Sequence, residues 1–155
     1  MKTSKLLFLS IMLVFCLFAN TLSAQTQRVH AQGISFLLPT EIQTQEEADG
    51  FMGENTDLRF LVTASAATEE EIDNLPVIVA LLTQSLGIEV DENNVKELAL
   101  TNFEGVIMKG KNENNDIFIV VMTDKAETHL YLTVIEAYNA KGNDLAYTLI
   151  NSYQK

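Results

Sequence analysis

The chain has 155 residues, 47% hydrophobic and 20% charged, with ten basic against twenty-one acidic side chains and a formal net charge of −11. So acidic a surface repels phosphate backbones, which excludes nucleic acid as a partner, and it disfavours anionic membrane surfaces for the same reason. The one cysteine, Cys16, leaves no disulfide framework to stabilise the fold.

In chain order, the first element reads as an address. Lys2 and Lys5 form a positive start, Leu6 to Phe18 is a hydrophobic run broken only by Ser10, and Ala24 is the small residue at a cleavage site. The run is shorter than the ~20 apolar residues a membrane span needs. Residues 1–24 are therefore expected to be a cleavable signal peptide, cut between Ala24 and Gln25. Leu13-Val14-Phe15-Cys16 resembles a lipoprotein attachment site, but bulky Phe15 stands where a small residue is required, so Cys16 reads as one more apolar signal residue. Cleavage would leave 131 residues with eight basic and twenty-one acidic side chains, a charge of −13, and no cysteine. The expectation is one exported domain, periplasmic or secreted, without disulfides and without a membrane anchor once cleaved.

Gln25 to Ala31 is polar, and residues 25–32 read as a tether before a globular domain over 33–155. Gly33 to Pro39 alternates as a strand with Ile34, Phe36 and Leu38 on one face, and Leu58 to Ser65 alternates as a second. One or two short strands are expected between them, around Ile42 and Phe51. Thr68-Glu69-Glu70-Glu71 is a capping box. Ile72, Leu75, Val79, Leu82 and Leu86 follow at helical spacing. Pro76 either kinks this helix or sits in the first turn of a second one capped by Asp73. Gly87 is expected to end it in a left-handed cap, with Ile88 folding back.

Val95–Leu100, Phe103–Lys109, Asp116–Thr123 and His129–Tyr138 read as four further strands. The short turns between the last three require antiparallel neighbours. Ile117 to Met122 is apolar without alternation, so that strand needs cover on both faces. A last helix, capped by Asn143, carries Leu145, Leu149 and Tyr153 with Ile150 beside them. Together these predict an α+β single domain, an antiparallel sheet with helices packed on both faces, that is, a three-layer α/β/α sandwich.

Motifs for chemistry are few. The two histidines, His30 and His129, fall in the tether and at a strand start, with no HExxH and no cysteine ligand nearby. GxSxG, SxxK, GxxxxGK[ST] and GxGxxG are all absent. Asp91-Glu92-Asn93-Asn94 and Asn112-Glu113-Asn114-Asn115-Asp116 are acidic-amide clusters, but both lack the glycine and closing glutamate of an EF-hand and sit where turns are expected. Met52, Met108 and Met122 read as core filler rather than a metal box. No catalytic, cofactor-binding or metal residue is therefore assigned.

Three stretches carry a family resemblance: Gly33-Ile34-Ser35-Phe36-Leu37-Leu38-Pro39, Asn102-Phe103-Glu104-Gly105, and Leu149-Ile150-Asn151-Ser152-Tyr153. In these, and in its order of elements, the domain resembles the PsbP/DcrB-like superfamily of small exported domains. That family has no shared catalytic residues, so the resemblance supplies none. It implies a non-enzymatic exported accessory or binding protein of the cell envelope, with a protein or membrane-complex partner. The alternatives are a carboxylate-based hydrolase or ligand-processing enzyme, and a weak calcium-dependent interaction module.

Overall fold

A computed structural model of the protein describes residues 25–89, 94–126 and 128–155. The expected signal peptide with Cys16, and Asp91 to Asn93 of the first acidic-amide cluster, lie outside the described residues.

The expected three-layer α/β/α sandwich is not what forms. Among the described residues the molecule is mostly β, with a two-stranded sheet, a seven-stranded antiparallel sheet and three short helices. The first difference arises at the segment read as a tether. Thr26–Ala31 is strand β1, paired along its whole length with β2 (Ile34–Pro39) through a turn at Gln32 and Gly33, both with positive φ. Its polar side chains suggested a tether, yet its backbone supplies ladder partners that β2 would otherwise lack.

The large sheet has the order β3-β4-β5-β9-β8-β7-β6. Its members are β3 (Gln43–Glu47), β4 (Gly50–Glu54), β5 (Leu58–Ala66), β6 (Val95–Ala99), β7 (Phe103–Asn112), β8 (Asn115–Asp124) and β9 (His129–Ala137). All four strands read in the second half of the sequence are present, and every pairing is antiparallel. The turn between β7 and β8 is tighter than the six-residue loop expected. The ladder runs to Asn112↔Asn115, leaving Glu113 and Asn114 to turn the chain, with Glu113 at φ 52°.

Period-two alternation divides the large sheet into two unlike faces. On the inner face, Phe60, Val62, Phe103, Phe118, Val120, Met122 and Ile135 are buried. They are covered by the β1–β2 hairpin and by helix α3 (Ala140–Asn151), which contribute Phe36, Leu38, Ala146, Leu149 and Ile150. Phe36 packs edge-on against Phe51, Phe60 and Tyr153, arrangements that aromatic quadrupoles favour. Helix α3 starts a turn earlier than expected. Its N-cap is Asn139, whose side chain accepts from the Gly142 amide, and Asn143 lies within the helix.

The outer face is covered by helices only in part. Thr68 caps α1 (Glu69–Asp73) with both reciprocal bonds of the capping box in place. Helix α2 (Leu75–Ser85) follows, with Pro76 in its first turn and Asn74, not Asp73, at its N-cap. Gly87, at φ 63°, ends α2, while the Gly87 and Ile88 amides return to the Gln84 and Thr83 carbonyls in a Schellman closure. Leu75 and Val79 of α2 pack onto Val106, Met108, Ile117, Ile119 and Val121 of β7 and β8. A helix about 10 Å wide covers roughly two strands spaced ~4.8 Å apart. One helix on this side therefore satisfies β8, whose two apolar faces called for cover, and leaves β5 and β4 bare.

Candidate functional site

That uncovered half of the outer face is the site the fold creates. Register places Met52, Leu61 and Val134 side by side across β4, β5 and β9. These three side chains form the apolar floor of a groove of about 560 Å³. The end of α2 and its closing turn supply one wall with Leu86 and Ile88, and the β3 edge strand supplies the other with Gln43 and Gln45. The Schellman turn at Gly87 matters here, because it turns Ile88 back toward the sheet and sets the depth of that wall.

The next row along the sheet, Glu54, Arg59 and Glu136, makes the polar end of the groove. Arg59 Nε donates to Glu136 Oε2, and Asn115 Nδ2 donates to Glu136 Oε1 at 2.7 Å. Both carboxylate oxygens of Glu136 are thus engaged. Glu54 on the rim is exposed.

Other carboxylates are held by cations rather than by one another. Asp57 accepts from Lys141 Nζ at 2.7 Å and Asn139 Nδ2 at 3.0 Å, and the Lys141 ammonium holds its carboxyl below the usual range. Asp116 meets Lys109 at 2.9 Å. Asp124, with its side chain 1% exposed, accepts from Lys155 Nζ at 2.6 Å, from the Thr128 amide and from the Thr128 hydroxyl, each of the latter at 2.9 Å. Burial pushes the Asp124 carboxyl up, and the Lys155 ammonium with the Thr128 donors outweighs it, so the group lies well below the ordinary value. These are the geometries of ion pairs, in which each acid is neutralised by its own base. General acid–base work by two carboxylates instead needs a pair facing each other across a substrate.

The residues singled out in the sequence fall elsewhere. His30 is an exposed residue of β1 opposite Ser35. His129 opens β9, half exposed, with Nδ1 2.9 Å from the Thr128 hydroxyl and 3.7 Å from Asp124. Since that hydroxyl donates to Asp124, Nδ1 of His129 must be the donor to it. The two histidines are not brought together. In the second acidic-amide cluster, Asn112 and Asn115 form the ends of a hairpin, Asn115 binds Glu136, and Asp116 binds Lys109 and Asn143. Among the described residues no three His, Cys, Asp or Glu side chains converge as metal ligands.

Met108 and Met122 are fully buried, as expected of core filler, but Met52 is 40% exposed and floors the groove. Sequence reasoning missed it because one methionine in a short strand carries no sign of which face it joins. Arg59 and Glu136 were equally hidden. Each reads as an ordinary polar residue of an alternating strand, and only the β5–β9 register sets them opposite each other.

No family model matches the chain, and no curated protein matches it. Among solved structures the fold is similar to a protein of Bacteroides thetaiotaomicron VPI-5482, whose crystal structure was determined at 1.50 Å. The two share 12% identity with a TM-score of 0.55, over 84% of this chain and 48% of the other. The chain therefore spans about half the length of that neighbour, and at this identity the likeness is one of fold alone.

Proposed function

We propose that the protein is an exported, non-enzymatic binding or accessory protein of the cell envelope, and that the outer-face groove is where it holds its partner. The observation that carries this is the groove's lining: an apolar floor of Met52, Leu61 and Val134 beside a charged row whose Arg59 and Glu136 already satisfy each other. Such a surface gains free energy by covering apolar area, at about 25 cal/mol per Å². Its charged row is occupied within the protein, because Glu136 accepts from Arg59 on one oxygen and from Asn115 on the other. The resemblance to PsbP/DcrB-like domains supports the same reading, as does the signal-like N-terminal segment.

The test is a titration with a neutral apolar fluorophore, N-phenyl-1-naphthylamine. Binding is expected, with loss on Met52→Lys and no change on Tyr147→Lys, a substitution of the same kind on the opposite face. Failure of the dye to bind overturns the groove reading. Substrate turnover that is lost in Glu136→Gln overturns the non-enzymatic one.

A further inference from the structure

We propose that the outer face docks a cationic, apolar-sided segment of a partner polypeptide. The proposal rests on the groove being a binding surface, and it adds what the occupant is. Two independent features of the face specify it.

The first is apolar extent. Helix α2, Leu75–Ser85, contains no charged residue. A helix on the surface of a globular protein ordinarily turns a charged face to water. Here Val77 is 53% exposed and Leu81 62% exposed, and Leu86 at the helix end is 45% exposed where it joins the groove. Ile78 and Leu82 are only half buried. Exposed apolar side chains are thus found at Met52 on the groove floor, at Leu86 on its wall, and at Leu81 and Val77 on the helix. A groove of about 560 Å³ is the size of a small-molecule site. Val77 and Leu81 lie outside its lining, on a surface that a polypeptide segment covers and a small ligand does not.

The second is charge. Alternation and register put Glu47, Glu54, Glu97, Glu104 and Glu136 on the outer face of the large sheet. Arg59 is the one base among the described residues of that face, and it is paired with Glu136. Helix α1 adds Glu69, Glu70 and Asp73 at the start of α2. Lys96, Lys109 and Lys111 alternate onto the inner face instead. The apolar surface is therefore framed by carboxylates, which attract Lys and Arg flanking an apolar stripe. A second copy of this chain would oppose the same acidic frame, and an anionic lipid surface would be repelled.

The experiment titrates the protein with a labelled peptide of leucine and lysine patterned as an amphipathic helix, and with its leucine–glutamate counterpart. The lysine peptide is expected to bind and the glutamate peptide not to. Affinity is expected to fall severalfold in about 1 M salt, where the Debye length shrinks to roughly 3 Å. Leu81→Lys and Met52→Lys should each weaken binding roughly tenfold or more, the loss typical of a central contact. Tyr147→Lys, which makes the same charge change at an exposed site on the opposite face, should leave it unchanged. Equal weakening by all three variants would reduce the effect to net charge and overturn the proposal. So would binding to phosphatidylglycerol vesicles through this face, or a dimer that Leu81→Lys dissociates. If the neutral dye binds and is lost in Met52→Lys while neither peptide binds, the groove stands and the cationic partner falls. If the dye fails as well, both fall.

Discussion

Tyr153 is buried in the inner core, 2% exposed, and its hydroxyl lies 2.7 Å from the hydroxyl of Thr133, itself fully buried. Burial raises the phenol well above its ordinary pKa, so it is neutral at pH 7. Tyr153→Phe leaves the Thr133 hydroxyl without this partner, and is expected to cost about 1–2 kcal/mol in urea denaturation. The double variant Tyr153→Phe with Thr133→Val removes both polar groups and should cost less than the sum of the single changes. A second residue-scale prediction concerns Asp124. Its folded pKa is depressed, so its stabilising contribution is present above the ordinary aspartate value of about 3.9 and is lost as pH falls below it. Asp124→Asn should lower stability at pH 7 by about 2 kcal/mol, the scale of charge-assisted hydrogen bonds. The gap between wild type and variant should narrow steadily as denaturation curves are taken from pH 5 to about pH 2. Neither contact was legible in the sequence, because Thr133 and Tyr153 stand 20 positions apart on a strand and beyond a helix. Only packing brings them together.

The β1–β2 hairpin turns through Gln32 at φ 54° and Gly33 at φ 78°. Two consecutive left-handed residues make the turn that suits a right-twisted hairpin, and asparagine tolerates the first position better than glutamine does. Gln32→Asn is accordingly expected to raise stability by about 0.5 kcal/mol, read as a shift in the urea midpoint at unchanged m-value. Elements with a local cause were the ones legible in the sequence. The Thr68–Glu71 capping box and the Gly87 closure depend on residues within one helical turn of one another, and both form as the sequence implies. Strand β1 was missed for the opposite reason. Its exposed polar residues have no pattern of their own, and it becomes a strand because β2 offers it a ladder. The start of α3 was misjudged by one turn because Asn139 and Asn143 are both suitable caps, and Asn139 is the one that bonds Gly142 and reaches Asp57.

At the scale of the whole molecule, the central strands β8 and β9 pair on both sides, and β8 is buried on both faces. The edge strands β3 and β6 are almost wholly exposed. Amide hydrogen exchange should therefore be slowest in β8 and β9, close to the global opening rate, and fastest in β3 and β6. Protection of β3 and β4 on adding the lysine peptide would place its contact at the groove. Chain order and the antiparallel meander could be read from alternation and loop length, and the doubly apolar β8 from the absence of alternation, since those constraints are local. How many layers formed could not. Two amphipathic helices are compatible with cover on both faces, but an eleven-residue α2 is too narrow to shield more than two of seven strands. What the sequence by itself determined was the four strands of the second half, the Thr68–Glu71 capping box, the Gly87 closure and the acidity. Which half of the outer face stays bare, and that Met52, Leu61, Val134, Arg59 and Glu136 meet there, was decided by the tertiary structure. Those neighbours come from strands distant in sequence, and strand register alone sets them side by side.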